Sequence, residues 1–223
     1  MNRAVLLDLD GTLLDTPSAI VSTIGTVLAD LGHPRPAPAA VRGTVGRPLA
    51  EAFRALAGPL DDDEVAEATR RYLLRFRDDV LPRARGLVFP HVEDGLRELR
   101  GAGFGLAVAT SKFTASARAL LDAAGLLGLF DAVVGADEVS RPKPHPEMGV
   151  LVLRRMGVVA ADAVMVGDTV HDIDMARSAG IASIAVTYGV GDRPTLLDAG
   201  PTRVADSFDE VTRDVTRIWE VVS

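Results

Sequence analysis

The sequence predicts an α/β fold: a doubly wound parallel sheet with a small helical segment inserted after the first strand. Three observations predict it. Short apolar runs recur along the chain. Amphipathic stretches alternate with them. One early region, 17–85, breaks the alternation and holds no strand-like run.

The first run, Ala4-Val5-Leu6-Leu7-Asp8, is continuously apolar up to the aspartate, as in a strand covered on both faces. Gly105 to Thr110, Ala132 to Gly135, Ala163 to Gly167 and Ala182 to Thr187 repeat the pattern. Between them, Val92, Leu96 and Leu99 fall at helical spacing ahead of Gly101 and Gly103. Ala117, Leu120, Leu121 and Ala124 do so before Gly125, and Met148, Leu151, Val152 and Met156 before Gly157, where glycine suits a helix end. The region 17–85 reads as helices over Ala19 to Leu31, Pro48 to Leu56 and Glu64 to Asp79, with a turn at Pro34, Pro36 and Pro38. The acidic run Asp61-Asp62-Asp63-Glu64 predicts the capped start of the third helix rather than a calcium site. The expected division is a core of 1–16 and 86–223 and a helical cap of 17–85.

Composition narrows the function. Of 223 residues, 48% are hydrophobic, enough for a substantial core. The net charge is −7 with no basic stripe, so nucleic acid is not an expected partner. The absence of cysteine removes disulfides, thiolate zinc sites and thiol nucleophiles. The run Ala4 to Leu7 is too short for a signal peptide or a membrane span, so no membrane partner and a cytoplasmic location are expected. Lys112 and Lys143 are the only lysines, which makes each informative. Oligomeric state is not legible.

Four motifs carry chemistry. Asp8-Leu9-Asp10-Gly11-Thr12 ends the first strand, where open parallel sheets bind ligands. Two neighbouring carboxylates can divide labour, one attacking while the other carries a proton. A plain turn would use the same residue types, but an EF-hand is excluded, since its sixth and twelfth positions would be Leu13 and Ala19. Thr110-Ser111-Lys112 closes the second run with a hydroxyl and free amides suited to phosphate oxygens, or to a helix start. Lys143 sits in Arg141-Pro142-Lys143-Pro144-His145-Pro146, fixed by three prolines. Gly167-Asp168-Thr169-Val170-His171-Asp172 adds two carboxylates four residues apart, although Asp168 could instead be a helix cap. So many carboxylates repel unless a cation joins them, and hard oxygen donors suit magnesium. Together these groups supply what phosphoryl transfer needs.

With those motifs in this order, the sequence resembles the haloacid dehalogenase superfamily, and within it the phosphoglycolate phosphatase-like branch with a small helical cap. Asp8 to Thr16, Thr110 to Lys112, Lys143 to Glu147 and Gly167 to Asp172 match its four signatures over essentially the whole chain. The resemblance implies a magnesium-dependent phosphatase acting on a small phosphorylated substrate, with a phosphoglycolate-type phosphomonoester favoured. Asp8 would be the nucleophile that becomes aspartyl phosphate. Asp10 would protonate the leaving group and then deprotonate water. Thr110 and Lys143 would neutralise phosphoryl oxygens. Asp8, the Asp10 carbonyl and Asp168 would bind Mg²⁺, with Asp172 in direct or indirect support. Amides around Leu9, Gly11, Thr12 and Ser111 would cradle the phosphate. Asp10 argues against dehalogenation, and a lysine-free 17–85 argues against phosphonate cleavage through a Schiff base. Pyrophosphate hydrolysis and sugar-phosphate mutation of the β-phosphoglucomutase type are the alternatives, followed by a non-catalytic phosphoryl-accepting module. Two departures stand out: His91 where relatives commonly have glycine, read as a surface residue ahead of a substrate contact, and Arg47 where they often have an apolar residue, read equally as a contact to a second anionic group of a substrate or as an exposed arginine at a helix start.

Overall fold

A computed structural model describes residues 3–219. Six strands form one sheet in the order β3-β2-β1-β4-β5-β6. They are β1 (Ala4–Leu7), β2 (Gly105–Ala109), β3 (Ala132–Val134), β4 (Ala163–Gly167), β5 (Ala182–Val186) and β6 (Arg203–Ala205). Every pairing is parallel. β1 lies in the middle, with Leu6 opposite Ala107 on one side and Met165 on the other. All four of its residues are fully buried, which is why its apolar run is unbroken.

Strand residues alternate between two helix layers. Val5 and Leu7 join a cluster with α5 (Val92–Gly101), α6 (Thr114–Ala123) and α10 (Phe208–Arg217). Ala4 and Leu6 face the other way, toward α7 (Glu147–Met156) and α8 (Val170–Ser178). A short α9 (Arg193–Asp198) packs Leu196 near β5. The helix ends fall where glycine was expected to stop them; Gly157 closes α7 at φ 65.

The insert between β1 and β2 holds α1 (Pro17–Asp30), α2 (Pro38–Arg42), α3 (Leu49–Ala57) and α4 (Asp62–Asp79). α2 is an addition to the expected pattern: the segment after Pro36 coils for one turn, with Pro38 at its first position. Asp61 caps α4 as predicted. Its carboxylate accepts from the Glu64 amide at 2.8 Å, and Glu64 accepts from the Asp61 amide at 3.0 Å. Apolar residues of the insert, including Ile24, Phe53 and Phe76, share one continuous cluster with Val5 and Leu7. Among the described residues, no helix is long and apolar enough to cross a membrane.

Candidate active site

The expected chemical groups gather at the carboxyl ends of the strands. Asp8 follows β1, Thr110 to Lys112 follow β2, and Asp168 follows β4. Lys143 reaches in from the loop before α7. Its ammonium is buried and donates to Asp8 Oδ1 at 2.9 Å and to Asp172 Oδ1 at 2.6 Å. Asp172 is also the third residue of α8, so its Oδ2 accepts from the Thr169 amide at 3.1 Å and the Thr169 hydroxyl at 2.7 Å. Thr169, not Asp168, is therefore the helix cap, and Asp168 is left to the crevice.

Asp168 is fully buried. Its Oδ1 accepts from the Thr12 hydroxyl at 3.1 Å and its Oδ2 from the Val190 amide at 2.7 Å. Glycines enclose it: a Cβ on Gly11 would stand 2.2 Å from Oδ2, and one on Gly189 would stand 2.3 Å away. Gly11 also has φ +91, a backbone that L side chains rarely adopt.

Burial sets the electrostatics. It pushes the Asp8 carboxyl up to about 7, against the pull of Lys143 and with further help from Asp172 and Asp10. Asp168 is held well above the carboxylate range, first by burial and then by Asp8 and Asp172. Burial alone would lower Lys143, but Asp172 and Asp8 outweigh it and hold the ammonium charged. Asp8, Asp168 and Asp172 can each offer an oxygen within 4.8 Å of the others. Counting Asp10, four carboxylates face the two ammonium groups of Lys143 and Lys112. One divalent cation would cancel that excess of negative charge, and an all-oxygen donor set fits a hard ion such as Mg²⁺.

The remaining expected residues divide. Thr110, Ser111 and Arg47 line one cavity with Asp8 and Asp10. The amides of Leu9 and Ser111 have no hydrogen-bond partner among the described residues, and Ser111 lines the cavity. One other expected phosphate contact, the Gly11 amide, is engaged elsewhere. The Gly11 amide donates to the Leu14 carbonyl at 2.8 Å, because the loop folds back in a bridge between Asp10 and Leu14. The Thr12 hydroxyl is committed to Asp168, so that side chain orients a carboxylate. The Ser111 hydroxyl donates to the Gly46 carbonyl of the insert at 2.6 Å.

Structure adds contacts that pattern reading did not assign. Lys112 donates to both oxygens of Asp10, at 3.0 and 3.3 Å, and the Thr16 hydroxyl donates to Asp10 Oδ1 at 2.5 Å. Lysine scarcity was the available signal for Lys112. The loop after β5 supplies the Val190 amide, and Tyr188 donates to the Thr12 carbonyl at 3.0 Å. The cavity measures about 60 Å³. Its far wall is apolar and belongs to the insert: Ile20, Ile24, Val45, Leu49, Ala52 and Leu73.

Comparisons with known proteins agree with this arrangement. The profile described as haloacid dehalogenase-like hydrolase matches residues 5–186. The chain is 53% identical over 212 residues to a probable phosphatase, IndB, of Dickeya dadantii, covering 95% of this chain and 92% of the relative. It is 35% identical over 217 residues to a phosphoglycolate phosphatase of Caulobacter vibrioides, covering 94% and 89%. Among solved structures, a predicted phosphatase from Clostridium acetobutylicum is similar with a TM-score of 0.85 at 27% identity, covering 97% of this chain and 99% of that one. The chain belongs to the haloacid dehalogenase-like hydrolase family.

Proposed function

We propose that the protein is a Mg²⁺-dependent phosphatase that hydrolyses a small phosphomonoester through an aspartyl phosphate on Asp8. The observation that carries this is the buried cluster of Asp8, Lys143, Asp168 and Asp172, from which Asp8 opens on a cavity that Asp10 and Thr110 also line. Asp8 attacks phosphorus, and the leaving oxygen takes a proton from Asp10. Water then attacks the phosphorus of the acyl phosphate, gives its proton to Asp10, and frees Asp8 and inorganic phosphate. Lys143 orients Asp8 and, with Thr110 and the Leu9 and Ser111 amides, neutralises the phosphoryl oxygens. Mg²⁺, when bound by Asp8, Asp168 and the Asp10 carbonyl with support from Asp172, supplies further charge neutralisation.

In this reading residues 17–85 act as a cap over a core of 1–16 and 86–223. A cavity of about 60 Å³ supports a small substrate, since sites for drug-sized ligands run to roughly 300–1,000 Å³. Phosphoglycolate leads, because a relative sharing 35% of its residues is named for it and Arg47 at the cavity can meet a second anionic group. Inorganic pyrophosphate is the second candidate. A mutase of the β-phosphoglucomutase type would instead depend on a bisphosphate activator and release little phosphate.

The test is phosphate release from a panel of phosphomonoesters and pyrophosphate, with Mg²⁺ and with EDTA. Activity on at least one substrate, lost in EDTA, is expected. No turnover of any substrate, or full activity in EDTA, would overturn the mechanism. Asp8→Asn is expected to abolish release, and an active Asp8→Asn enzyme would mean that another group is the nucleophile.

A further inference from the structure

Lys112 is the cation that the proposed mechanism leaves without a task. Its side chain is 7% exposed, and a buried ammonium requires partners. The structure gives it two. Its Nζ bonds both oxygens of Asp10, and it stands 4.3 Å from the ring centroid of Phe76 on α4 of the insert. That ring is itself buried. The two carboxylate oxygens and the aromatic face flank the ammonium. Among the described residues the Asp10 carboxylate has one other hydrogen-bond donor, the Thr16 hydroxyl.

We infer that Lys112 is a positioning residue for Asp10, and that the insert holds it in place through Phe76. The ammonium pins the Asp10 carboxylate at the wall of the cavity, and the aromatic ring stops it from swinging toward substrate. Thr110, Ser111 and Lys112 then perform three adjacent tasks at one strand end. Thr110 faces the phosphate position, Ser111 ties down the insert at Gly46, and Lys112 sets the proton carrier. Displacement of a catalytic group by about 1 Å can cost on the order of 10²-fold in rate.

This inference rests on the phosphatase reading, and one mutant cycle separates the two. Steady-state rates are measured on the best substrate of the phosphomonoester panel, at enzyme concentrations high enough to quantify the residual rate of the Asp10→Asn background. Lys112→Met is expected to lower kcat by about tenfold to 100-fold with KM little changed. In the Asp10→Asn background the same substitution is expected to cost less than about twofold, because the group it positions is gone. Lys112→Arg should recover part of the rate. Phe76→Leu, which keeps Lys112 and its ion pair, should show a smaller loss with the same non-additivity, and it carries the test if Lys112→Met does not fold. Equal losses in both backgrounds would overturn the inference and leave the phosphatase reading standing. So would a rise in KM alone, which would make Lys112 a substrate contact. A wild-type chain inactive on every phosphate ester would overturn the reading itself.

Discussion

His91 is the one non-glycine residue with positive φ among the described residues, at φ 65 and ψ 0. It stands immediately before α5, where the chain must turn left-handed to start the helix. An L side chain in that region costs roughly 1–2 kcal/mol, and the 3.5 Å contact of His91 with Asp209 is exposed and returns little. His91→Gly is therefore expected to raise unfolding free energy by about 1 kcal/mol in denaturant melts, with phosphate release unchanged. A destabilised variant would show that the histidine side chain matters more than its backbone. The residue scale is also where the sequence was most legible. Asp8 and Asp168 each followed an apolar run, Lys143 sat in a proline-fixed loop and Asp172 stood four residues past Asp168, and the structure brings them together. Lys112 was not legible as a partner of Asp10, because the contact joins residues 102 positions apart and no spacing rule reports it.

At the scale of elements, the loop after β5 does more than connect. It delivers the Val190 amide to Asp168 and passes Gly189 where no Cβ fits. Gly189→Ala is expected to cost about 1–3 kcal/mol of stability by overpacking. The same change should lower kcat by about tenfold or more by shifting Asp168, read from melts and phosphate release on the same preparation. Unchanged kcat would mean that Asp168 tolerates displacement. The capping box of α4 yields a milder expectation. Asp61→Ala should cost about 1 kcal/mol with activity retained, since the cap lies at the exposed start of a helix. Elements were legible where they were long or strongly apolar. β6 spans only three residues and its burial is partial, so no run stands out from its surroundings. α2 hides among prolines that read as a turn, although a proline at the first helical position is well tolerated.

At the scale of the molecule, the buried acid cluster links stability to pH and to metal. Burial raises Asp8 from the ordinary carboxyl value of 3.8 to about 7. Between those values the folded chain keeps a proton that the unfolded chain has released. This group's contribution is thus fully present at low pH and is lost as pH rises through about 7. Asp168 shifts in the same direction. A divalent cation competes with those protons, so its stabilisation should grow as pH rises. The gain in melting temperature from saturating Mg²⁺ is expected to be larger at about pH 8 than at about pH 5.5, measured against EDTA at each pH. Equal gains would place the ion outside this cluster. The doubly wound sheet and the helical insert were both legible, since period and chain order determine them. The apolar face that the insert turns toward the cavity was not, because tertiary packing alone decides which residues meet there.

The central position of β1 has a consequence for how the protein is made. Its neighbours on either side begin at Gly105 and Ala163, so during synthesis the strand that leads to Asp8 emerges first and acquires its second partner last. Until then this strand, apolar in every side chain, has an unpaired edge, the kind of segment that associates with other chains. The insert, whose Ile24 and Phe53 pack in the same cluster as Val5 and Leu7, is translated next and can shelter one face of the strand while it waits. The segment that lines the finished cavity thereby serves the nascent chain as its first shield.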